Sequence, residues 1–137
     1  MRLEELDFQP TPMGDLTLRR RTDATLGDIF EVKLGDEYLM SSLFTVAEEE
    51  LARLGLAASV GDDLAVLVGG LGLGYTAIAA LRDSRVASMT VIDTMPAVID
   101  WHERGLLPVS ETLTGDARTK LVLDDFFQVM RDAPAIK

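Results

Sequence analysis

Cysteine is absent from this chain of 137 residues, which excludes disulfides, thiolate metal sites and thiol nucleophiles. Histidine is nearly absent: His102 stands alone and the acids are scattered, so no metal site is expected. With no nucleophile at triad spacing, His102 reads as a surface helical residue. Positive charge is scarce as well, with 13 Lys and Arg against 23 Asp and Glu and a net charge of −10. Nucleic-acid backbones are bound through clustered cations, so this balance argues against such a partner. Arg19-Arg20-Arg21 is the one basic run, and it reads as a solvated edge-strand face rather than a binding patch. An acidic surface mildly favours a cationic substrate, such as an amine. Long apolar runs are missing too. The start, Met1-Arg2-Leu3-Glu4-Glu5-Leu6-Asp7, lacks a signal-peptide core, and no stretch is long enough to span a bilayer. The expectation is a cytoplasmic protein that handles a small molecule and has no membrane partner.

What the chain does have is concentrated between residues 64 and 93. Leu64-Ala65-Val66-Leu67-Val68 is an unbroken apolar run of the kind that buried parallel strands show. It leads into Gly69-Gly70-Leu71-Gly72-Leu73-Gly74, and the helix-prone Tyr75 to Leu81 follows. A second apolar strand, Val86 to Ile92, stops on Asp93. Open α/β sheets bind nucleosides at such a junction: bare backbone approaches the ligand at the first turn, and the acid after the next strand takes a ribose. Gly70, Gly72 and Gly74 read G-x-G-x-G, whereas the dinucleotide fingerprint needs its third glycine where Tyr75 stands. A bulky Tyr there holds the helix off the strand and crowds a pyrophosphate. A cofactor of the S-adenosylmethionine type, which carries no phosphate, is therefore expected ahead of NAD.

The remaining elements frame this core. Residues 1–43 form a first region, in which Leu16 and Leu18, then Phe30, Val32 and Leu34, alternate with polar residues. A small antiparallel β meander over Asp15 to Met40 is expected, after a start made irregular by Pro10, Pro12 and Gly14. The second region, 44–137, opens with a helix that Thr45 and Glu48 cap as a box. Its apolar face is Ala47, Leu51 and Leu54, and Gly55 is its terminator. Pro96 starts a further helix that ends at Gly105, Pro108 to Ala117 reads as a loop, Lys120 to Leu123 as a third strand, and Phe126 to Arg131 as a helical turn. This is an α/β, Rossmann-like order. Right-handed crossovers place the three parallel strands side by side, strand one innermost. Only the first half of a doubly wound sheet is present, so a fragment of a longer protein is expected, ahead of a partner chain or the N-terminal meander covering the strand-one edge; such an edge also suits a homodimer.

The glycines have a second reading, close strand–helix packing alone, but their density between a buried strand and a helix favours binding. Asp93 can accept hydrogen bonds from ribose hydroxyls or cap the helix that follows. Met95 can lie over the ribose or adenine or fill core, and Thr94, between the two, joins them as a cofactor-contacting position. Asp125, closing the third strand, can accept from an adenine amine, with Asp124 as cap or solvent-facing neighbour; a shift of one residue would swap them. Trp101 reads as core or a wall near adenine. No residue offers itself as a general base, so catalytic residues are not assigned.

Val66-Leu67-Val68-Gly69-Gly70-Leu71-Gly72-Leu73-Gly74-Tyr75, the segment Val91 to Trp101, and Leu121-Val122-Leu123-Asp124-Asp125-Phe126 resemble successive motifs of the spermidine synthase (aminopropyltransferase) superfamily and its class I methyltransferase relatives. The likeness extends to the layout, a β section, a helix and a half-sheet, and covers nearly the whole chain. It implies that the glycine loop holds the methionine-like part of the cofactor, that Asp93 is the ribose-binding acid and that Asp125 lies near the adenine amine. Two departures stand out. Leu71-Gly72-Leu73 lacks the acid of the family's loop, and Thr45-Val46-Ala47-Glu48-Glu49 replaces its Tyr-His-Glu polyamine signature. The family's catalytic aspartate follows a fourth parallel strand, beyond Lys137.

The leading expectation is a spermidine-synthase-like transferase, or its cofactor-binding portion, using S-adenosylmethionine or decarboxylated S-adenosylmethionine. A small-molecule methyltransferase with the same cofactor comes second. A non-catalytic nucleoside-binding module, consistent with the missing base, is the alternative outside enzymes.

Overall fold

The computed structural model describes residues 2–132. The chain divides into two compact units, one running to Thr45 and the other starting at Val46.

The first unit is a four-stranded antiparallel meander in the order β1(Arg2–Thr11), β2(Gly14–Asp23), β3(Gly27–Leu34), β4(Glu37–Ser41). Leu16, Leu18 and Val32 are fully buried, as alternation predicts. The expected irregular start is instead a full strand, β1. Its Pro10 is tolerated because β1 is an edge strand, and Pro12 falls in the turn that returns to Gly14. That extra strand overturns the reading of the arginine run as a solvated edge. β2 lies inside the sheet, where Arg19 and Arg21 both donate to Oε1 of the buried Glu31 (3.2 and 3.4 Å) and Arg20 donates to Glu4 (2.7 Å). Paired in this way, the three cations are spent on the sheet itself. Asp23 makes the next turn by accepting the Thr25 and Leu26 amides.

The second unit is α1(Val46–Ala57), β5(Leu64–Gly69), α2(Tyr75–Leu81), β6(Val86–Asp93), α3(Pro96–Glu103), α4(Ser110–Gly115), β7(Thr119–Leu123) and α5(Phe126–Asp132). The strands form a parallel sheet in the order β5-β6-β7, the partial Rossmann-like architecture expected of a β-α-β-α-β run. The rows Val66–Met89–Thr119 and Val68–Val91–Leu121 cross one face, where Val68, Met89 and Val91 are buried. The other face carries the row Leu67–Thr90–Lys120, with Ala65, Ser88 and Lys120 exposed.

Three local expectations fail here. Helix α1 runs through Gly55 rather than ending on it, because Arg85 donates to the Leu56 and Ser59 carbonyls beyond that glycine. Its buried residues are Ala52 and Leu56, set against α2, while Leu51 and Leu54 stay exposed. The loop after Pro108 contains α4, a single short helix held down by the fully buried Ser110 and Leu113. No helix among the described residues is long and apolar enough to cross a membrane.

Candidate functional site

The glycine loop leaves β5 at Gly69 and enters α2 at Tyr75. Gly70, Gly72 and Gly74 have φ of +110°, +50° and +93°, a left-handed geometry that favours glycine. The leucines between them point the other way in effect: Leu71 and Leu73 are buried and anchor the loop. Alternation of bare backbone and apolar anchor is thus the local reason for the sequence Gly-Leu-Gly-Leu-Gly. The first amides are used internally, Gly70 N–H donating to the Ile92 carbonyl (2.7 Å) and Gly74 N–H to the Leu71 carbonyl (2.9 Å).

The glycines differ in what surrounds them. A methyl group added at Gly70 meets nothing within 4 Å, so that α-carbon faces open space. At Gly74 the same methyl would lie 2.7 Å from Val109 Cγ2 and 3.0 Å from His102 Cε1. At Gly69 it would lie 2.8 Å from the Phe126 ring. Packing therefore requires Gly74 and Gly69, whereas Gly70 leaves room for a ligand.

Asp93 ends β6 and turns toward the loop. Its Oδ2 accepts the Leu71 N–H (2.9 Å) and its Oδ1 accepts the Met95 N–H (2.8 Å). The carboxylate so fastens the middle of the glycine loop to the start of α3, and it is half-buried rather than turned to bulk solvent. Met95 is the N-cap of α3 in extended conformation, with Pro96 following it, and Thr94 is exposed. Asp125 is exposed and caps α5, its Oδ1 accepting the Gln128 N–H (3.1 Å), while the Asp124 carboxylate accepts the Asp125 N–H (2.7 Å). Of the two acids closing β7, Asp125 is thus the cap. The Asp124 N–H donates to the Asp93 carbonyl (3.1 Å), which brings the ends of β6 and β7 together.

His102 overturns its expected surface position. It is fully buried, Nε2 lying 2.8 Å from the Gly72 carbonyl and Nδ1 lying 3.1 Å from Ser110 Oγ. Burial holds its pKa below the ordinary value, against the upward pull of the Gly72 carbonyl and the nearby Asp93 charge. Sequence reasoning missed it because a lone histidine carries no periodic signal; its neighbour Trp101, also fully buried, marked that helix face as the inner one. Tyr75 is partly buried, and that desolvation together with the Glu49 charge raises its pKa. Among the described residues no group of acids and histidines could hold a metal ion.

A cleft of about 360 Å³ runs along the edge of β5 that no strand pairs with among the described residues, between α1 and α2, from Ser59 past Val66 to Gly70 and Thr76. Its lining does not include Asp93 or Asp125. The cleft lies along a strand flank where a doubly wound sheet adds further strands, and it meets the glycine loop only at Gly70.

No family model matches this sequence, and no curated protein matches it either. Among solved structures the chain is similar to the spermidine synthase of Thermotoga maritima, with a TM-score of 0.74 and 18% identity over 93% of this chain and 43% of that one. It is also similar to a spermidine synthase in complex with the transition state analogue AdoDATO, with a TM-score of 0.69 and 18% identity over 88% of this chain and 39% of that one. At such identity the likeness is one of fold. The chain spans less than half the length of either neighbour.

Proposed function

We propose that the unit from Val46 onward is the S-adenosyl-binding part of a spermidine-synthase-like transferase, with S-adenosylmethionine or its decarboxylated form as cosubstrate. One observation carries this reading: the Asp93 carboxylate is fastened to the glycine loop beside Gly70, whose α-carbon faces open space. A carboxylate offers about four lone-pair positions, and the Leu71 and Met95 amides take two, so acceptor capacity remains for a pair of ribose hydroxyls. Gly70 and Gly72 would bring backbone against the amino-acid arm of the cosubstrate, Thr94 and Met95 would border the sugar, and the exposed Asp125 would take the adenine amine. Gly74 would contribute by packing rather than contact. The fold neighbours support the reading, and one of them is a spermidine synthase in complex with the transition state analogue AdoDATO.

When bound, such a cosubstrate supplies a carbon made electrophilic by its sulfonium. The chain's part is to hold and align it for a nucleophile, for which a cationic amine in its neutral form is the class proposed. A general base is not assigned to any described residue.

A methyl transfer is the second reading, favoured by the buried Leu71 and Leu73. A loop without an acidic side chain does not repel the carboxylate that S-adenosylmethionine carries and its decarboxylated form lacks.

Titration calorimetry with S-adenosylmethionine, its decarboxylated form and methylthioadenosine tests both readings. Saturable binding on the order of micromolar Kd is expected. Asp93→Asn should weaken it by about tenfold or more while the chain stays folded by circular dichroism. Absence of saturable heat with all three compounds would remove the proposal, and the ratio of affinities for the carboxylated and decarboxylated forms separates the two transfers.

A further inference from the structure

The buried chain of polar groups behind the glycine loop has one consistent proton arrangement. The Leu107 N–H donates to Ser110 Oγ (3.1 Å), so that oxygen is already an acceptor. Ser110 Oγ lies 3.1 Å from His102 Nδ1, and His102 Nε2 lies 2.8 Å from the Gly72 carbonyl, which can only accept. In the neutral ring that burial favours, Nε2 therefore carries the proton, Nδ1 accepts, and the Ser110 hydroxyl donates to it. Every member of the relay is satisfied, and His102 and Ser110 are both fully buried. The ring also occupies the space that a side chain at Gly74 would need, so it meets the loop at two points, one polar and one steric.

We propose that His102 is a positioning residue for the glycine loop: as the neutral, Nε2-protonated tautomer it fixes the Gly72 carbonyl and, through Ser110, ties the loop to the start of α4. The loop geometry that leaves Gly70 facing open space then depends on a side chain that touches no ligand. The effect on affinity rests on the S-adenosyl reading given above, whereas the tautomer and the hold on the loop do not.

Because His102 is the chain's one histidine, a long-range proton–nitrogen spectrum of the full chain reports a single ring. An Nε2–H tautomer is expected, and an Nδ1–H tautomer or a ring titrating as an exposed histidine would overturn the proposal. His102→Leu should weaken methylthioadenosine binding by about tenfold, since it leaves a buried carbonyl without its donor. His102→Gln, whose amide can donate to Gly72, should recover most of that loss. Recovery by Gln distinguishes a polar hold from simple packing, so equal losses in the two variants would overturn it. If His102→Leu does not fold, Ser110→Ala takes its place. It removes the donor to Nδ1 while the Gly72 carbonyl still holds the Nε2 proton, so the tautomer should stay, the Nδ1 resonance should shift, and binding should weaken about threefold; an unchanged Nδ1 resonance with unchanged affinity would count against the relay. If the wild-type chain binds no adenosyl compound, the functional reading falls and amide exchange decides the positioning claim. Leu71 and Gly74 should then exchange about tenfold faster in the variant than in the parent, relative to β6 amides, and unchanged exchange would sink it.

Discussion

The two ends of the parallel sheet are built on opposite plans. At the amino ends of β6 and β7 one device is used twice: Asp83-Ser84-Arg85 and Asp116-Ala117-Arg118 each pair a carboxylate with the guanidinium two residues on, at 2.8 Å in both cases. Each arginine then donates to carbonyls of earlier elements, Arg85 to Leu56 and Ser59, and Arg118 to Leu81 and Val86. Charge is matched and the helix ends are closed. At the carboxyl ends Asp93, Asp124 and Asp125 accept backbone amides, and the glycine beside Asp93 faces open space. Repetition with paired charge is what stability alone selects. An unrepeated arrangement that leaves acceptors beside bare backbone is where ligand chemistry belongs, in keeping with the rule that open α/β sheets bind at the strands' carboxyl ends.

The sharpest separation comes within the glycine loop. Gly74→Ala forces a methyl into Val109 and His102 at a φ of +93°, and about 3 kcal/mol of stability should be lost in urea melts. Gly70→Ala has the strain of φ +110° without the collision and should cost about 1 kcal/mol. Its larger effect should be on adenosyl binding, since the methyl enters the open side. Equal stability losses in the two would erase the distinction between a packing glycine and a ligand-facing one.

Next in size is the amino end. Arg85→Ala or Arg118→Ala leaves helix carbonyls without their donors and should lower Tm by less than Gly74→Ala does. Adenosyl affinity, measured by calorimetry below the new Tm, should not change. A binding loss matching that of Asp93→Asn would mean the two ends are coupled and the division of labour fails.

Much of this contrast could be read from residue order, and the part that could not has a physical cause. The apolar run into glycines and the acid closing the next strand are local patterns, and Leu64–Gly69, Tyr75–Leu81 and Val86–Asp93 fold accordingly. Pro10 suggested an interruption because an edge strand's tolerance of proline depends on a pairing the local sequence does not state. Gly55 suggested a helix end because the guanidinium that caps beyond it comes from Arg85, a distant partner. The Leu51–Leu54 face suggested core, yet the helix packs through Ala52 and Leu56, whose contacts are set by the close approach of α2. His102 was unreadable for the same reason: its partners Gly72 and Ser110 are assembled only by the fold.

The smallest effect expected, and the one that compares both ends in a single experiment, is the dependence of Tm on pH. Asp83 and Asp116 are held at about 2 by their arginines, below the ordinary 3.8. With folded pKa values depressed, the stability they contribute is present above 3.8 and is lost as pH falls through about 2. His102 also has a lowered pKa, but as a base: burial disfavours its charged form, so below the ordinary 6.5 the unfolded chain binds the proton the folded chain refuses. Stability should therefore decline first as pH falls below that value, despite the attraction of Asp93, and again in the carboxylate range. His102→Gln should flatten the upper decline and leave the lower one, while Asp83→Asn with Asp116→Asn should do the reverse. A single decline removed by neither variant would show that neither the relay behind the loop nor the paired turns set the acid response.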